Sequence, residues 1–312
     1  MDDRYRDGGY KPTKEKFEEY KGKSILDPEV AHKYCYDIVR KHDFYTHSVG
    51  KHFPVSRQKY FYAIHAFFLE ILKSREASRQ MMVCKTRLLW WSETLNDIEN
   101  NKKIQEPIGI ALSEVYKNTN ANFDLLHRMI SYQLFDLERS DMQSMNDLTN
   151  YAENTRSLTF YLFLHILGIN DKNAYKAASH MGRCMGIIDV LKKMQYFLIN
   201  HRSYLPSDIL LKHNLFFDRI YNPRVEGLVA DQFYDVVLEI AAHAKKHLEV
   251  SRTFKDKLPK HAHRALLFGV EAESYLTELE DYNFDIFDDH FRRISYIKMP
   301  YRILKASKNE SY

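Results

Sequence analysis

His243 and His247 lie at i and i+4, a spacing that would put two imidazoles on one helix face as a zinc pair. No Glu stands between them in the HExxH form, and His261 with His263 extends no ligand pattern. All four are therefore expected as surface or partly buried histidines, with no metal. Cys35, Cys84 and Cys184 are odd in number and show no CxxC spacing, which predicts neither a disulfide framework nor a zinc knuckle and fits a reducing compartment. Ser/His/Asp and Cys/His catalysis are set aside for want of a nucleophile elbow or local signature. Glu70 and Glu76 would need a shared face to act as paired carboxylates, but they are six residues apart and point to different sides of a helix. A basic group of Lys192, Lys193, His201 and Arg202 could hold an anionic headgroup or a diphosphate without metal, with Lys193 and Arg202 as the candidate contacts. Asp189 stands one turn before Lys193, and an i, i+4 ion pair is the expected use of that lysine.

The elements that position these residues are helical. The 22 Tyr and 19 Phe promise an aromatic core, and only 10 Gly and 8 Pro interrupt 312 residues, which favours long helices over a sandwich or barrel. Apolar residues recur at helical spacing near residues 28–42, 55–77, 78–99, 107–117, 122–138, 144–167, 173–200, 231–252 and 261–280. Pro54, Pro107, Gly168 after Leu167, Pro206, Pro223, Gly227 and Pro259 punctuate them. Of the pair Trp90-Trp91, one ring is expected in the core and the other toward solvent or a neighbouring helix. Residues 1–27 read as a flexible polar arm ending at the helix-start signal Asp27-Pro28, residues 28–305 as one helical domain, and residues 306–312 as a tail.

Charge excludes some partners. The net +4 arises from 46 basic and 42 acidic residues interspersed without a long basic tract, so nucleic acid is not indicated, while weak contact with an anionic membrane is compatible. The most apolar stretch, Leu158 to Leu167, is half the roughly 20 residues a bilayer span needs and contains His165. Asp2, Asp3 and Asp7 make the amino terminus unlike a mitochondrial presequence, and it has no apolar signal segment. The expectation is a cytosolic protein, or one whose targeting segment lies outside this chain.

Lys33 to Glu76, with Pro54 and an AIHAF stretch, resembles the opening of bacterial squalene/phytoene synthases. Met181 to Pro206, closing on Tyr204-Leu205-Pro206, is similar to the family's helix that carries its second aspartate motif. Asp136-Leu137 and the helix from Tyr151 occupy the places of two further family helices, so the resemblance covers most of residues 30 to 280. It implies an all-α, isoprenoid-synthase-like bundle. It also implies a site in which aspartates at i and i+4 on two helices hold magnesium against a diphosphate leaving group. By that correspondence the first pair falls at Leu72 and Glu76 and the second at Lys193 and Phe197. Leu72 and Phe197 offer no oxygen, and an ammonium at Lys193 repels the cation, so metal-dependent ionisation is expected to fail. Ser157 and Phe160 stand where the family's glycines leave room for isoprenoid carbon, and that region is expected to be ordinary core.

One subgroup that lacks the aspartates is similar in finer detail: the mitochondrial complex I (NADH dehydrogenase) assembly factors of the assembly factor six type. The likeness rests on Tyr151-Ala152-Glu153-Asn154-Thr155, Ile166-Leu167-Gly168-Ile169, Ala178-Ser179-His180-Met181-Gly182, Gly186-Ile187 and Phe284-Asp285-Ile286-Phe287. It implies a pseudoenzyme without cofactor on the matrix side of the mitochondrial inner membrane. Its partners would be complex I subunits or assembly intermediates, with peripheral contact to that membrane. The rival reading is an active or divergent prenyltransferase acting on isoprenoid diphosphates.

Overall fold

The computed structural model describes residues 27–312 apart from 77, 79, 140, 201, 217–219 and 221–227. The expected polar arm lies, except for Asp27, outside the described residues. Helix is the only regular structure among the described residues, and no strand occurs there. By contact the chain groups into two compact units. One comprises residues up to Glu138 together with Leu162–Asn170, and the other comprises Arg139–Tyr161 with Asp171–Tyr312.

The first unit begins with α1 (Pro28–His42), where the Asp27 carboxylate accepts from Glu29 N at 2.9 Å, Pro28 supplies a preset φ and Arg40, Lys41 and His42 meet the carboxyl-terminal dipole. Asp43 then starts α2 (Phe44–Gly50) by accepting from Thr46 N at 3.0 Å, and the fully buried His65 lies 2.9 Å from its other oxygen. The unit continues with α3 (Val55–Glu76), α4 (Met81–Glu99), α5 (Pro107–Asn118) and α6 (Asp124–Glu138). α1, α3 and α5 pack on one another, and α4 packs on α6. Trp91 fills the α3–α4 contact edge-on to Phe67, while its neighbour Trp90 is 43% exposed, as the alternating directions of adjacent helix residues require.

In the second unit a capping box formed by Ser144 and Asp147 opens α7 (Met145–Asn154). A continuous helix over residues 144–167 is what the periodicity predicts, but the chain breaks at Thr155 (φ −122°, ψ −80°) before α8 (Arg156–Ile166). The Thr155 hydroxyl donates to Tyr151 O at 2.6 Å, and such a local bond competes with the helical ladder. The end of α8, from Leu162, belongs to the first unit, and there Gly168 (φ +72°) terminates the segment in a conformation other residues rarely adopt. α9 (Lys172–Lys192), capped by Asp171, is likewise shorter than the expected 173–200. Lys193 ends it at φ −96°, ψ 2°, and the chain resumes as α10 (Met194–Ile199). There follow α11 (Ser207–Lys212), α12 (Leu228–Arg252), α13 (Gly269–Asp281) and α14 (Lys298–Lys308). The segment near 261–280 enters α13 through a 3₁₀ turn, Ala262–Leu266, after His261 at φ +70°. α2, α11 and α14 are additions to the predicted set.

α9 is the axis of this unit, packing along α7 and most extensively along α12. Gly182 and Gly186 make the close approach to α7 and α8. A Cβ at 182 would sit 2.3 Å from Ser157 Cα, and one at 186 would sit 2.6 Å from Ala152 Cβ. Gly182 and the fully buried Ser157 are thus in direct contact, and Phe160 is sealed against Phe268 with ring centroids 4.9 Å apart. Both positions are packed core, as expected.

Candidate functional site

The positions implied by the aspartate motifs fall one pair in each unit. In the first, Leu72 is half-buried on α3 and Glu76 is the last residue of that helix. Glu70, buried two residues earlier, is engaged by Arg87 of α4 through a direct Arg87–Glu70 ion pair, which commits its charge to holding α3 and α4 together. Glu106 caps α5 by accepting from Gly109 N at 2.6 Å, and burial raises its carboxyl to about 7. Among the described residues no three of His, Cys, Asp and Glu gather so as to hold a metal.

In the second unit, Lys193 and Phe197 keep the i, i+4 relation across the helix junction, with Phe197 N donating to Lys193 O at 3.0 Å. Their side chains part company. Phe197 is 6% exposed and packs on Tyr204 at 4.5 Å, which packs in turn on Tyr151 at 5.0 Å. It is a core aromatic. Lys193 and Arg202 are both half-buried, and Arg202 N donates to Phe197 O, so the backbone places these two cationic residues at the two ends of one short helix. His201 lies outside the described residues.

Charge in this region also involves Arg156 and Glu271, which spacing alone does not single out. Asp189, expected to pair with Lys193, has its carboxylate 3.5 Å from Nε of Arg156, the first residue of α8. Arg156 is 2% exposed, and its guanidinium lies over the rings of Phe160 (5.9 Å) and Phe268 (5.2 Å). Lys192 makes a specific long-range pair. Its Nζ donates to Oε1 of the buried Glu271 on α13 and lies 5.0 Å from the Tyr275 ring centre. Burial opposes the Lys192 charge, but Glu271 and then Asp189 outweigh it, and its pKa rises above the ordinary lysine value. A further knot surrounds Glu153, whose carboxylate accepts from Tyr161 Oη (2.6 Å), Ser179 Oγ (2.9 Å) and Arg183 Nε (2.9 Å). Two cations matched by two anions, Arg156 with Asp189 and Lys192 with Glu271, tie α8, α9 and α13 together. Such an arrangement braces helices, and it presents no pair of acids to a metal ion.

The histidines at candidate metal-ligand spacing also meet other partners. His180 Nδ1 lies 2.9 Å from His247 Nδ1, the His243 ring stands edge-on to His247 at 4.9 Å, and His243 Nε2 is 2.9 Å from Thr149 Oγ1. Burial lowers all three, His247 to about 3, so they pack as neutral rings between α9, α12 and α7. His263 is buried and lowered for the same reason. Cys35, Cys84 and Cys184 are all free and buried.

Comparison with known proteins places this geometry. The family model for squalene/phytoene synthase matches residues 39–299. A mouse (Mus musculus) protein named NADH dehydrogenase (ubiquinone) complex I, assembly factor 6 is 30% identical over 257 residues, 82% of this chain and 76% of its own length. The bovine (Bos taurus) protein of the same name is 30% identical over 261 residues, covering 84% and 77%. Among solved structures, a dehydrosqualene synthase bound to a ligand superposes with a TM-score of 0.75 over 91% of this chain and 98% of that one, at 18% identity, which shows a shared fold.

Proposed function

Because this chain belongs to the squalene/phytoene synthase family, its function turns on what became of that scaffold's metal chemistry, and we propose that it is a non-catalytic assembly factor for mitochondrial respiratory complex I. The observation that carries the reading is the 30% identity, over more than four-fifths of the chain, to mammalian proteins named for complex I assembly. The side chains agree with it. Where the family resemblance calls for magnesium-binding aspartates, Leu72 and Phe197 bring carbon and Lys193 brings a positive charge, while Asp189 and Glu271 lie against Arg156 and Lys192. The protein acts on the matrix side of the inner membrane, holding complex I subunits or intermediates and touching the membrane peripherally. No helix among the described residues is long and apolar enough to cross a membrane. Proximity labelling in mitochondria tests the reading: enrichment of complex I intermediates over those of other respiratory complexes is expected, and labelling without that enrichment contradicts it.

A further inference from the structure

We propose that the outward face of the carboxyl-terminal helix α14 is a docking face for an anionic lipid surface, a deepening of the peripheral membrane contact proposed above that rests on that reading for the presence of a bilayer. The helix has two sides of opposite character. Met299 and Ile303, at i and i+4, are 6% and 0% exposed and fix it to the body of the unit beside α13. Arg302 reinforces this inner side by donating to Ser274 Oγ at 2.7 Å. The chain beyond the helix is pinned as well. Tyr312 is buried, its hydroxyl donates to Ser251 O at 2.9 Å, and its carbonyl accepts from Arg252 Nε at 2.8 Å.

The opposite side carries Ile297, Tyr301 and Leu304, at i, i+4 and i+7, exposed by 83%, 65% and 41%. Tyr296 and Ile294 extend the apolar surface just before the helix and are also exposed. Side chains this exposed project from the protein instead of lining a groove, the form suited to entering a headgroup layer. The charge is one-sided too. From Arg293 to Asn309 there are five basic residues, Arg293, Lys298, Arg302, Lys305 and Lys308, and no Asp or Glu. All but Arg302 are exposed, and Lys298, Lys305 and Lys308 share the side of the projecting apolar groups. The chain as a whole is only +4, so this run concentrates positive charge. A second copy of the same face would meet it with like charge, whereas a negatively charged bilayer satisfies both the cations and the apolar knobs.

Co-sedimentation of the full chain with vesicles of phosphatidylcholine alone, and of phosphatidylcholine mixed with phosphatidylglycerol, tests the assignment without any complex I component. A negative result here therefore leaves the proximity-labelling result standing. Wild-type protein is expected to pellet with the anionic vesicles only and to be released by salt on the order of 0.5 M. The double substitution Lys298→Glu, Lys305→Glu is expected to weaken binding by about tenfold or more, as is Ile297→Asp with Tyr301→Asp. Because these positions are exposed, thermal melts of the variants should match the wild type. If a charge reversal unfolds the protein, Lys298→Gln with Lys305→Gln serves in its place. Equal binding to neutral vesicles, or variants that pellet like the wild type, overturns the proposal. So does wild-type protein that ignores both vesicles but is retained on immobilised polyglutamate, which would assign the face to an acidic protein.

Discussion

At the second pair of positions where the family resemblance implies metal-binding aspartates, Phe197 packs on Tyr204 in the core and Lys193 carries a cationic side chain. Purified protein given magnesium and a prenyl diphosphate is accordingly expected to release no pyrophosphate above a heat-inactivated control, and clear metal-dependent release would refute the pseudoenzyme reading. The ion pairs nearby make a graded prediction. Lys193→Ala removes a half-exposed charge and should cost about 0.5 kcal/mol. Glu271→Gln leaves Lys192 facing a neutral amide and should cost about 2 kcal/mol, less than breaking a fully buried pair because the lysine side chain is 30% exposed. Urea denaturation should rank the two in that order, and equal losses would contradict the distinction. The cross-helix partners of Asp189 and Lys192 lie beyond sequence spacing for a physical reason. An i, i+4 rule sees partners along one helix, whereas Asp189 meets Arg156 on α8 and Lys192 meets Glu271, 79 residues away on α13. Arg156 stands in a strongly apolar segment, and only packing shows that the aromatic rings and Asp189 around it make its burial tolerable.

Nine predicted helical segments have counterparts, because long apolar periodicities buried on one face are what the core selects; the breaks within them were less legible. Thr155 and Lys193 interrupt continuous patterns without proline or glycine, the first through a side-chain bond to Tyr151 O. α14 leaves little periodic trace because its inward stripe is only Met299 and Ile303 while its other side exposes apolar residues, which blurs the period. Two predictions belong to α9. Gly182→Ala places a methyl group 2.3 Å from Ser157 Cα, a backbone atom that cannot swing aside, and should cost about 3 kcal/mol or more in urea denaturation. An unchanged midpoint would show that α8 and α9 can separate freely. The neutral histidines between α9 and α12 set an acid limit. In the unfolded chain a histidine binds a proton near pH 6.5, but burial holds His247 to about 3 and lowers His180 and His243. Between those values the unfolded state binds more protons, so stability is full above about pH 6.5 and falls as the pH drops toward 3. The melting temperature should decline from pH 7 to pH 5, and His247→Leu should flatten that slope; a flat wild-type profile would contradict the neutral packing.

On the scale of the whole molecule, the fold is that of a prenyl synthase, the relatives carry the name of an assembly factor, and Arg156 with Asp189 and Lys192 with Glu271 form ion pairs across α8, α9 and α13. That combination follows if a helical scaffold has exchanged turnover for binding: a carboxylate engaged by an arginine or lysine braces helices, and the same group cannot also serve as an open metal ligand. The family and the all-α class were legible from motif order and from the scarcity of breakers. The surfaces that would meet a partner were not, because exposed side chains leave no periodic trace until packing reveals which face of a helix is left over, as at Ile297 and Tyr301. Native gels of respiratory complexes from cells lacking this protein, with re-expressed wild-type and Lys193→Ala chains alongside, put the assembly role to the test. Assembled complex I is expected to fall before the other complexes and to be restored by both chains, whereas normal complex I in a verified null would contradict the assembly role.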